Sequence, residues 1–284
     1  MIQVEHIVKI YKKHTVLDHV SLDIEGIYGL LGSNGAGKTT LMKIVCGLTS
    51  ASGGDIRVDG RSMMRRRYAD TAGIIGFLPQ DFNLYPSLPV EEVLSHLALL
   101  QGIVDRNRQR EVVQQALERV NLSDKSHLKM EELSGGMRRR VGIAQLLLRE
   151  PKILVFDEPT AGLDIEERIR FRNLLRELSH DHTIIISSHI VEDIEFLCTK
   201  IGLLSNGRLL FEGTPDELKA KAAGALAESL IHLEELNGWV KERDVVNIEE
   251  TPEGLRIRYF DEVGSDDSIV PRLADGYLAV MRAR

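Results

Sequence analysis

A glycine-rich segment near the start of the sequence has the residue types of a loop that binds phosphate. It fits the pattern G-x-x-x-x-G-K-[ST], in which glycines let the backbone turn tightly and present its N–H groups to phosphate oxygens. A lysine at this spacing reaches the β- and γ-phosphates, and the hydroxyl after it is a ligand for Mg²⁺. The alternative is a glycine-rich turn whose lysine is only solvated. The residues are Gly32, Ser33, Asn34, Gly35, Ala36, Gly37, Lys38, Thr39 and Thr40.

Two adjacent carboxylates, Asp157 and Glu158, follow the continuous apolar run Ile153–Phe156. Such a run is typical of a strand that is buried on both faces of a parallel sheet. An aspartate at the end of a buried strand beside a phosphate-binding loop can hold Mg²⁺. The neighbouring glutamate can orient and deprotonate an attacking water. Acids also cap strand ends without any catalytic role, but the phosphate-binding pattern elsewhere in the chain favours the catalytic interpretation.

A third motif, L-S-G-G-M at residues 133–137, lies between the other two. With the three motifs in this order, the sequence resembles the ATP-binding subunit of an ABC transporter over residues 2–217. The resemblance implies an α/β fold of the P-loop NTPase class and ABC type. It would have a mixed sheet core, an antiparallel β subdomain and an inserted helical subdomain. It also implies an ATPase that uses ATP with Mg²⁺.

Four further residues match positions of the family's motif set. Tyr11 resembles the aromatic residue that stacks on adenine, and the alternative is an ordinary strand tyrosine. Gln80 resembles the glutamine that contacts Mg²⁺ and the attacking water and senses the membrane partner; the alternative is a polar loop residue. Asp164 resembles the loop acid that communicates across a dimer, and a helix N-cap is an equally compatible role. His189 resembles the switch histidine that contacts the γ-phosphate.

The resemblance also implies how two chains share their sites. Ser134, Gly135 and Gly136 would begin a helix and complete the ATP site of a second subunit, so that two ATPs lie between two chains. ATP would therefore bind the closed dimer far better than the open one. Hydrolysis and loss of phosphate would remove that preference, and the dimer would open.

The same resemblance gives the catalytic roles. Glu158 is expected to assist the in-line attack of water, while Lys38, His189 and Mg²⁺ stabilise the developing charge. The sequence departs from the family where Met137 replaces a common glutamine and Ala161 replaces a common serine. Neither change removes a group that contacts phosphate, so ATP hydrolysis remains the expectation.

Three segments point to a subtype. Residues 28–32, 77–81 and 133–140 resemble export-type ATPases, notably bacterial drug- and antimicrobial-peptide-resistance exporters. The expected partners are a second ATPase subunit in a homodimer and a separate integral-membrane permease, with no nucleic acid. The chain would then lie in the cytoplasm, on the inner face of the cell membrane. The alternative is a soluble ABC ATPase that acts on ribosomes or DNA, but such relatives usually carry two ATPase halves or a long coiled coil.

These motifs need an α/β scaffold that brings them together. Helical spacing predicts a helix over residues 38–48 directly after the phosphate-binding pattern, and another over 165–178. Three more helices are expected in an insert between residues 89 and 149. Alternating strands and helices predict a mostly parallel sheet. The apolar runs that mark its strands lie at residues 27–31, 74–78, 153–156, 183–187 and 201–204.

The composition is that of a globular chain with a hydrophobic core. Its 284 residues are 43% hydrophobic and 28% charged with a net charge of −7, which excludes a disordered, collagen-like or disulfide-scaffold protein. No apolar run approaches 18 residues, so no membrane-spanning helix is expected. Cys46 and Cys198 are predicted to be buried free thiols. The arginine runs at 65–67 and 138–140 are expected to be solvated helix faces or contacts with a partner chain.

The predicted domains are an ABC ATPase domain over residues 1–220 and an accessory C-terminal region over residues 221–284. The accessory region carries 8 basic and 13 acidic residues, so most of the net negative charge lies there. Apolar segments on either side of a turn at residues 251–254 predict a hairpin. The last residues predict a short helix or an extended end. Together they predict a small α+β appendage, for which we expect a dimer-contact or regulatory role.

Overall fold

The computed structural model describes residues 1–63, 73–82, 84–261, 265–266 and 268–283. The arginine run at residues 65–67 lies outside these ranges. The chain divides into two compact units, Met1–Leu209 and Leu210–Arg284. This division falls before residue 220, where the sequence placed the boundary. The functional extent of each domain stays a prediction.

The first unit alternates strands and helices. Its strands, in chain order, are β1 (Ile2–Tyr11), β2 (His14–Ile24), β3 (Ile27–Leu31), β4 (Gly53–Val58), β5 (Arg61–Ser62), β6 (Ile75–Leu78), β7 (Ile153–Phe156), β8 (Thr183–Ser188) and β9 (Lys200–Ser205). A tenth strand, β10 (Arg208–Gly213), begins in this unit and continues past the division at Leu209. Its described helices are α1 (Lys38–Val45), α2 (Val90–Leu100), α3 (Arg106–Arg119), α4 (Gly135–Leu147), α5 (Ile165–Leu178) and α6 (Val191–Glu195). The apolar runs therefore located the central strands to within a residue or two, and α5 lies where its spacing placed it.

The central sheet has the strand order β10-β9-β3-β8-β7-β6. β3 is parallel to both β8 and β9, and β7 is parallel to both β6 and β8. Every residue of β3 and β7 is buried, as expected for strands that parallel crossover connections cover on both faces. Asn206 and Gly207 have positive φ and form the two-residue turn of a hairpin, so β10 runs antiparallel to β9. The sheet is therefore mixed, as predicted.

The carboxyl ends of the parallel strands meet at one edge of this sheet. Leu31 of β3 is in register with Ser188 of β8, and Leu78 of β6 is in register with Phe156 of β7. Phe156 is also paired with Ile186. The segments that leave this edge carry the phosphate-binding pattern, the carboxylate pair and the predicted γ-phosphate histidine. The topology therefore brings these motifs together.

A second, antiparallel sheet has the order β2-β1-β4-β5. Ile2, Ile7 and Leu17 on its inner face are fully buried. They belong to one hydrophobic cluster with Leu41 of α1 and Val155 of β7. This shared core fixes α1, and with it the phosphate-binding loop, against both sheets.

The helical insert contains α2, α3 and α4. Pro89 lies at the N-cap of α2, where its missing N–H costs nothing, and Asp105 caps α3 by accepting from the Arg108 N–H at 2.8 Å. Helix α4 begins at Gly135, with Ser134 as its N-cap. Within the described ranges, no helix is both long and apolar enough to cross a membrane.

Cys46 and Cys198 are buried free thiols, as predicted. Burial raises the pKa of both thiols far above neutral pH. Both side chains therefore stay protonated and act as small apolar groups in the core.

The second unit is a small α+β arrangement. Its elements are α7 (Pro215–Lys219), β11 (Leu226–Ile231), α8 (Leu236–Glu242), β12 (Asp244–Thr251), β13 (Gly254–Phe260) and α9 (Leu273–Arg282). The predicted hairpin corresponds to β12 and β13, and β11 adds an unpredicted third strand in the order β11-β13-β12. Trp239 of α8, also unpredicted, packs edge-on against Tyr259 at 5.2 Å between ring centroids.

Candidate functional site

The phosphate-binding pattern forms the loop between β3 and α1. Gly37, the N-cap of α1, has φ +106°, a left-handed conformation that favours glycine. A Cβ at this position would lie 2.8 Å from Leu17 Cδ2. Lys38 folds back over the loop, where its Nζ donates to the carbonyls of Gly32 at 2.7 Å and Ser33 at 3.2 Å. An ammonium group and the positive end of α1 therefore meet in one loop, a setting that binds phosphate.

The predicted Mg²⁺ ligands of the loop and of the carboxylate pair contact each other. Thr39 donates its hydroxyl to Asp157 Oδ2 at 2.7 Å. Ser187, near the end of β8, donates its hydroxyl to Asp157 Oδ1, also at 2.7 Å. Asp157 is only 4% exposed. Each oxygen of this buried carboxylate therefore has a hydroxyl partner, as an ionised group out of water requires.

Glu158 lies between two of the other predicted catalytic residues. Its Oε1 is 3.5 Å from Lys38 Nζ, and its Oε2 is 2.8 Å from His189 Nδ1. Because a carboxylate only accepts, Nδ1 donates to it, and the other ring nitrogen of His189 is left for a second contact. Glu158 has φ +46°, a left-handed conformation that costs a non-glycine residue roughly 1–2 kcal/mol.

The donor set fits a Mg²⁺ ion that is carried by nucleotide phosphates. Thr39 and Asp157 supply hard oxygen atoms, and Mg²⁺ typically takes one or two carboxylates together with phosphate oxygens and water. Gln80, the third predicted ligand, follows β6 at the same edge and is exposed, and its main-chain oxygen accepts from Arg139 at 3.0 Å. Among the residues that the structure describes, there is no group of three or more His, Cys, Asp or Glu side chains placed to hold a metal.

The Ser-Gly-Gly motif forms the start of α4. Ser134 Oγ accepts from the Met137 N–H at 3.1 Å and so caps the helix. Ser134 and Gly135 are exposed, whereas Gly136 is buried. A Cβ at Gly136 would lie 2.1 Å from Glu167 Oε2, so α4 and α5 approach each other closely at this point. Within the described residues, no hydrogen bond or ion pair links Ser134 to the phosphate-binding loop of its own chain.

Tyr11 and Asp164 lie on the surface. Tyr11 ends β1 with 47% of its surface exposed, and the Lys9 ammonium lies 4.6 Å from the centre of its ring. Asp164 is the N-cap of α5, where its Oδ1 accepts from the Glu167 N–H at 2.8 Å. The capping role is therefore real. The adenine contact of Tyr11 and the cross-dimer role of Asp164 stay predictions.

The arginine run at residues 138–140 differs from the expectation of a solvated face. Arg138 is exposed, but the guanidinium of Arg139 donates to the Gln80 carbonyl at 3.0 Å and lies 3.5 Å from the Ala161 carbonyl. Burial lowers the pKa of Arg139. Arg140 lies 3.8 Å from the Glu167 carboxylate. The prediction of a solvated face was wrong for these two residues, because their partners come from segments distant in the sequence. The alternative of a contact with a partner chain stays a prediction.

Two buried polar contacts beside the site had no predicted role. Ser187 bonds to Asp157, as described above. Thr160, two residues after Glu158, donates to Asp193 Oδ2 of α6 at 2.5 Å, and both side chains are buried. For the contact between Ser187 and Asp157, the one feature of the sequence that could have indicated it is a serine at the end of the apolar run of β8.

Taken together, a phosphate-binding loop, a buried aspartate beside its threonine and a glutamate–histidine pair stand at the carboxyl edge of a mixed sheet. This arrangement defines a nucleotide-binding protein of the P-loop class. The helical insert with its own exposed Ser-Gly-Gly helix start distinguishes one branch of that class.

The chain belongs to the ABC transporter family, whose sequence pattern matches residues 17–161. It is 34% identical to the linearmycin resistance ATP-binding protein LnrL of Bacillus subtilis over 227 residues, which are 79% of this chain and 72% of LnrL. The chain is an ABC ATPase, the ATP-hydrolysing subunit of a transporter, as its motifs predicted.

Two solved structures share its fold. CbiO1 of Clostridium perfringens, part of the transporter complex CbiONQ, is 29% identical with a TM-score of 0.72, over 77% of this chain and 90% of CbiO1. The dimeric cassette MJ0796 bound to ADP and Pi is 25% identical with a TM-score of 0.67, over 75% of this chain and 98% of MJ0796. The predicted fold class is therefore confirmed.

Proposed function

We propose that this chain hydrolyses ATP with Mg²⁺ as one of two ATPase subunits that drive export through a separate membrane permease. The observation that carries this proposal is the contact of Glu158 with both Lys38 and His189 at the mouth of the phosphate-binding loop. A base, a cation and a second hydrogen-bonding group lie within reach of one γ-phosphate position.

Binding begins at the phosphate-binding loop. The loop N–H groups and the positive end of α1 receive the phosphates, and Lys38 exchanges the carbonyls of Gly32 and Ser33 for phosphate oxygens. Tyr11 stacks on the adenine ring. A bound Mg²⁺ would supply positive charge that offsets the charge of the phosphates. Thr39 and Asp157 would hold it, with Gln80 as the further ligand.

Hydrolysis depends on Glu158. Its carboxylate takes a proton from a water as the water oxygen attacks the γ-phosphorus, and the bond from phosphorus to the ADP oxygen breaks. His189 keeps the carboxylate oriented through Nδ1 and offers its other ring nitrogen to the γ-phosphate. Lys38 stabilises the charge that develops on the phosphate oxygens.

A second copy of the chain would complete each site. Ser134 and Gly135 are exposed at the start of a 13-residue helix, and such a helix start binds anions. Because they are not bonded to the phosphate-binding loop of their own chain, we assign them, with Gly136, to a contact with ATP. This contact would be to the γ-phosphate of the ATP bound by the partner chain. Asp164 would then lie close to the interface. The dimeric form of MJ0796 supports this arrangement.

The permease and the direction of transport rest on relatives. LnrL is named for resistance to linearmycin, an activity that export would provide, and CbiO1 is part of a multi-subunit transporter complex. We place the contact with the permease on the helical insert and on the segment after Gln80. The chain would then lie at the cytoplasmic face of the membrane. The ATPase domain over residues 1–220 and the accessory region over 221–284 stand as part of this proposal.

Capture of the membrane partner tests the proposal. A tagged Glu158→Gln chain, expressed in its native host and cross-linked with ATP, should recover a polytopic membrane protein, because the variant keeps the ATP-bound state. A tagged Lys38→Ala chain should recover less, since it loses phosphate affinity. Capture of ribosomes or DNA with no membrane protein would contradict the proposal and favour the alternative ATPase without a permease.

A further inference from the structure

Ser187 is a polar residue in the most buried part of the central sheet. It lies within β8, in register with Leu30 of β3, and it is 0% exposed. The three residues before it in β8 are buried isoleucines. A hydroxyl at such a place is costly unless both its donor and its acceptor are used. Its partners therefore show what it does.

Both partners of Ser187 belong to the carboxylate pair. The Glu158 N–H donates to Ser187 Oγ at 2.9 Å, and Ser187 Oγ donates to Asp157 Oδ1 at 2.7 Å. Because the N–H can only donate, the hydroxyl proton is directed to the aspartate. One side chain of β8 thus fixes the side chain of Asp157 and the backbone of Glu158 at once.

Ser187 stabilises a different feature of each residue: the orientation of the Asp157 carboxylate and the backbone conformation of Glu158. Asp157 Oδ2 is held by Thr39 from the phosphate-binding loop, so the Ser187 bond to Oδ1 fixes the orientation of the whole carboxylate. Glu158 has the left-handed φ described above, which persists only when surrounding contacts hold it. Its N–H bond to Ser187 is such a contact.

We propose that Ser187 is a positioning residue that sets the Mg²⁺-holding carboxylate of Asp157 and the backbone of the general base Glu158 together. This inference rests on the proposed roles of those two residues. The hydroxyl acts without touching ATP. Its loss releases one oxygen of Asp157 and the Glu158 N–H, so Mg²⁺-dependent binding and turnover both weaken while nucleotide binding without the metal does not.

The next residue supplies a matched control. Ser188 is also buried, at 3% exposed, and its Oγ accepts from the Ile190 N–H at 2.9 Å. Ser188→Ala therefore removes a buried hydroxyl from the same strand and leaves the Ser187 bonds in place. Ser187→Thr keeps the hydroxyl and adds one methyl group. A cavity of about 10 Å³ borders Ser187 and leaves some space for that methyl.

The test measures how much Mg²⁺ strengthens binding of a non-hydrolysable ATP analogue. Dissociation constants are determined for the full chain in excess EDTA and in excess Mg²⁺, and their ratio is compared between variants. Ser187→Ala should reduce this ratio about tenfold, the usual effect of losing a group that orients a metal ligand, with the EDTA value unchanged. Ser187→Thr should restore the ratio, and Ser188→Ala should match the parent chain. In ATP turnover with Mg²⁺, Ser187→Ala should lower kcat and raise KM, whereas Ser188→Ala should change neither.

An unchanged ratio in Ser187→Ala, or an equal loss in Ser188→Ala, would overturn the inference. If circular dichroism shows that Ser187→Ala does not fold, Ser187→Cys carries the same test, because its thiol has a similar shape but is a weak donor. A parent chain that neither binds nor hydrolyses ATP would instead contradict the proposed function. The two failures are therefore distinguishable.

Discussion

Each unit of the chain contains a cluster of opposite charges, and the two clusters are built differently. We call them the catalytic cluster, of Lys38, Glu158 and His189, and the accessory cluster, of Glu228, Arg258 and Asp275. Each places a cation beside at least one buried carboxylate. They differ in how tightly the charges are matched.

In the accessory cluster every contact is short. Arg258 Nη1 donates to Asp275 at 2.7 Å, and its Nε donates to Glu228 at 2.8 Å. Asp275, whose side chain is 2% exposed, also accepts from the Arg272 N–H at 2.7 Å. Burial alone would lower the pKa of Arg258, but its hydrogen bonds to Glu228 and Asp275 raise it. Each charged group of this cluster therefore has an opposite charge within hydrogen-bond distance.

In the catalytic cluster the opposite charges of Lys38 and Glu158 are less closely paired. Lys38 lies 3.5 Å from Glu158, and its shorter contacts are to neutral loop carbonyls. His189 keeps 44% of its side chain exposed. These partners can be exchanged for phosphate oxygens and water. The comparison indicates that incomplete charge matching, rather than burial, distinguishes a site that reacts from a site that stabilises.

The largest effect should come from changing the base of the catalytic cluster. Glu158→Gln keeps the shape but cannot take a proton, so we expect a loss of ATP turnover of about 10²–10⁴-fold. ATP binding should persist, and an ATP-bound dimer should accumulate. Phosphate release and size-exclusion chromatography measure the two effects. Near-normal turnover in this variant would remove Glu158 from the role of base.

Complementation between inactive chains tests whether the catalytic cluster is completed by a partner chain. Lys38→Ala and Ser134→Ala should each be inactive alone, but a mixture should contain dimers with one intact site and regain ATP hydrolysis. The control uses a chain that carries both substitutions, Lys38→Ala and Ser134→Ala, and that folds like the parent chain. Mixing it with either single variant creates no intact site. No recovery from two folded single variants would argue against trans completion.

The accessory cluster should respond in stability instead of activity. Arg258→Met leaves the Asp275 carboxylate buried without its cation, and we expect the second unit to lose about 3–5 kcal/mol. Arg256→Met, at an exposed position two residues earlier in the same strand, should change stability by about 0.5 kcal/mol or less. Denaturant unfolding and amide hydrogen exchange report these values. Equal effects of the two variants would contradict the closed cluster.

The smallest effect separates the two roles of Asp164. Asp164→Ala removes the α5 cap and should cost about 1 kcal/mol, whereas Asp164→Asn keeps the cap and its stability. If Asp164 also acts across the dimer, the Asn variant should lose cooperativity of ATP hydrolysis at an unchanged Tm. A normal Hill coefficient in Asp164→Asn would leave capping as its role.

The sequence predicted those parts of the fold that depend on local signals. Apolar runs marked β3 and β7, and the glycine–lysine pattern marked the loop between β3 and α1. Leu226–Ile231 was missed as a strand because its apolar residues lie at both ends without alternation. Its place in the sheet comes from pairing with β13, a contact that no local pattern contains.

Within the site, the predictable residues were those whose types reveal chemistry. Lys38, Asp157 and Glu158 carry charge at motif spacing, so the sequence could single them out as candidates, and the structure brings them together. Ser187 and Arg139 could not, because their importance lies in partners far away in the chain. A serine in a strand and an arginine in a helix are ordinary until the fold brings those partners beside them.

The left-handed backbone of Glu158 has a consequence for protein engineering. Glycine adopts this conformation without a steric penalty, whereas alanine pays roughly 1 kcal/mol or more. We therefore expect Glu158→Gly to unfold at a higher temperature than Glu158→Ala, although both lack the base. Among variants that lack the carboxylate, thermal stability at this position would then follow the backbone preference of the new residue.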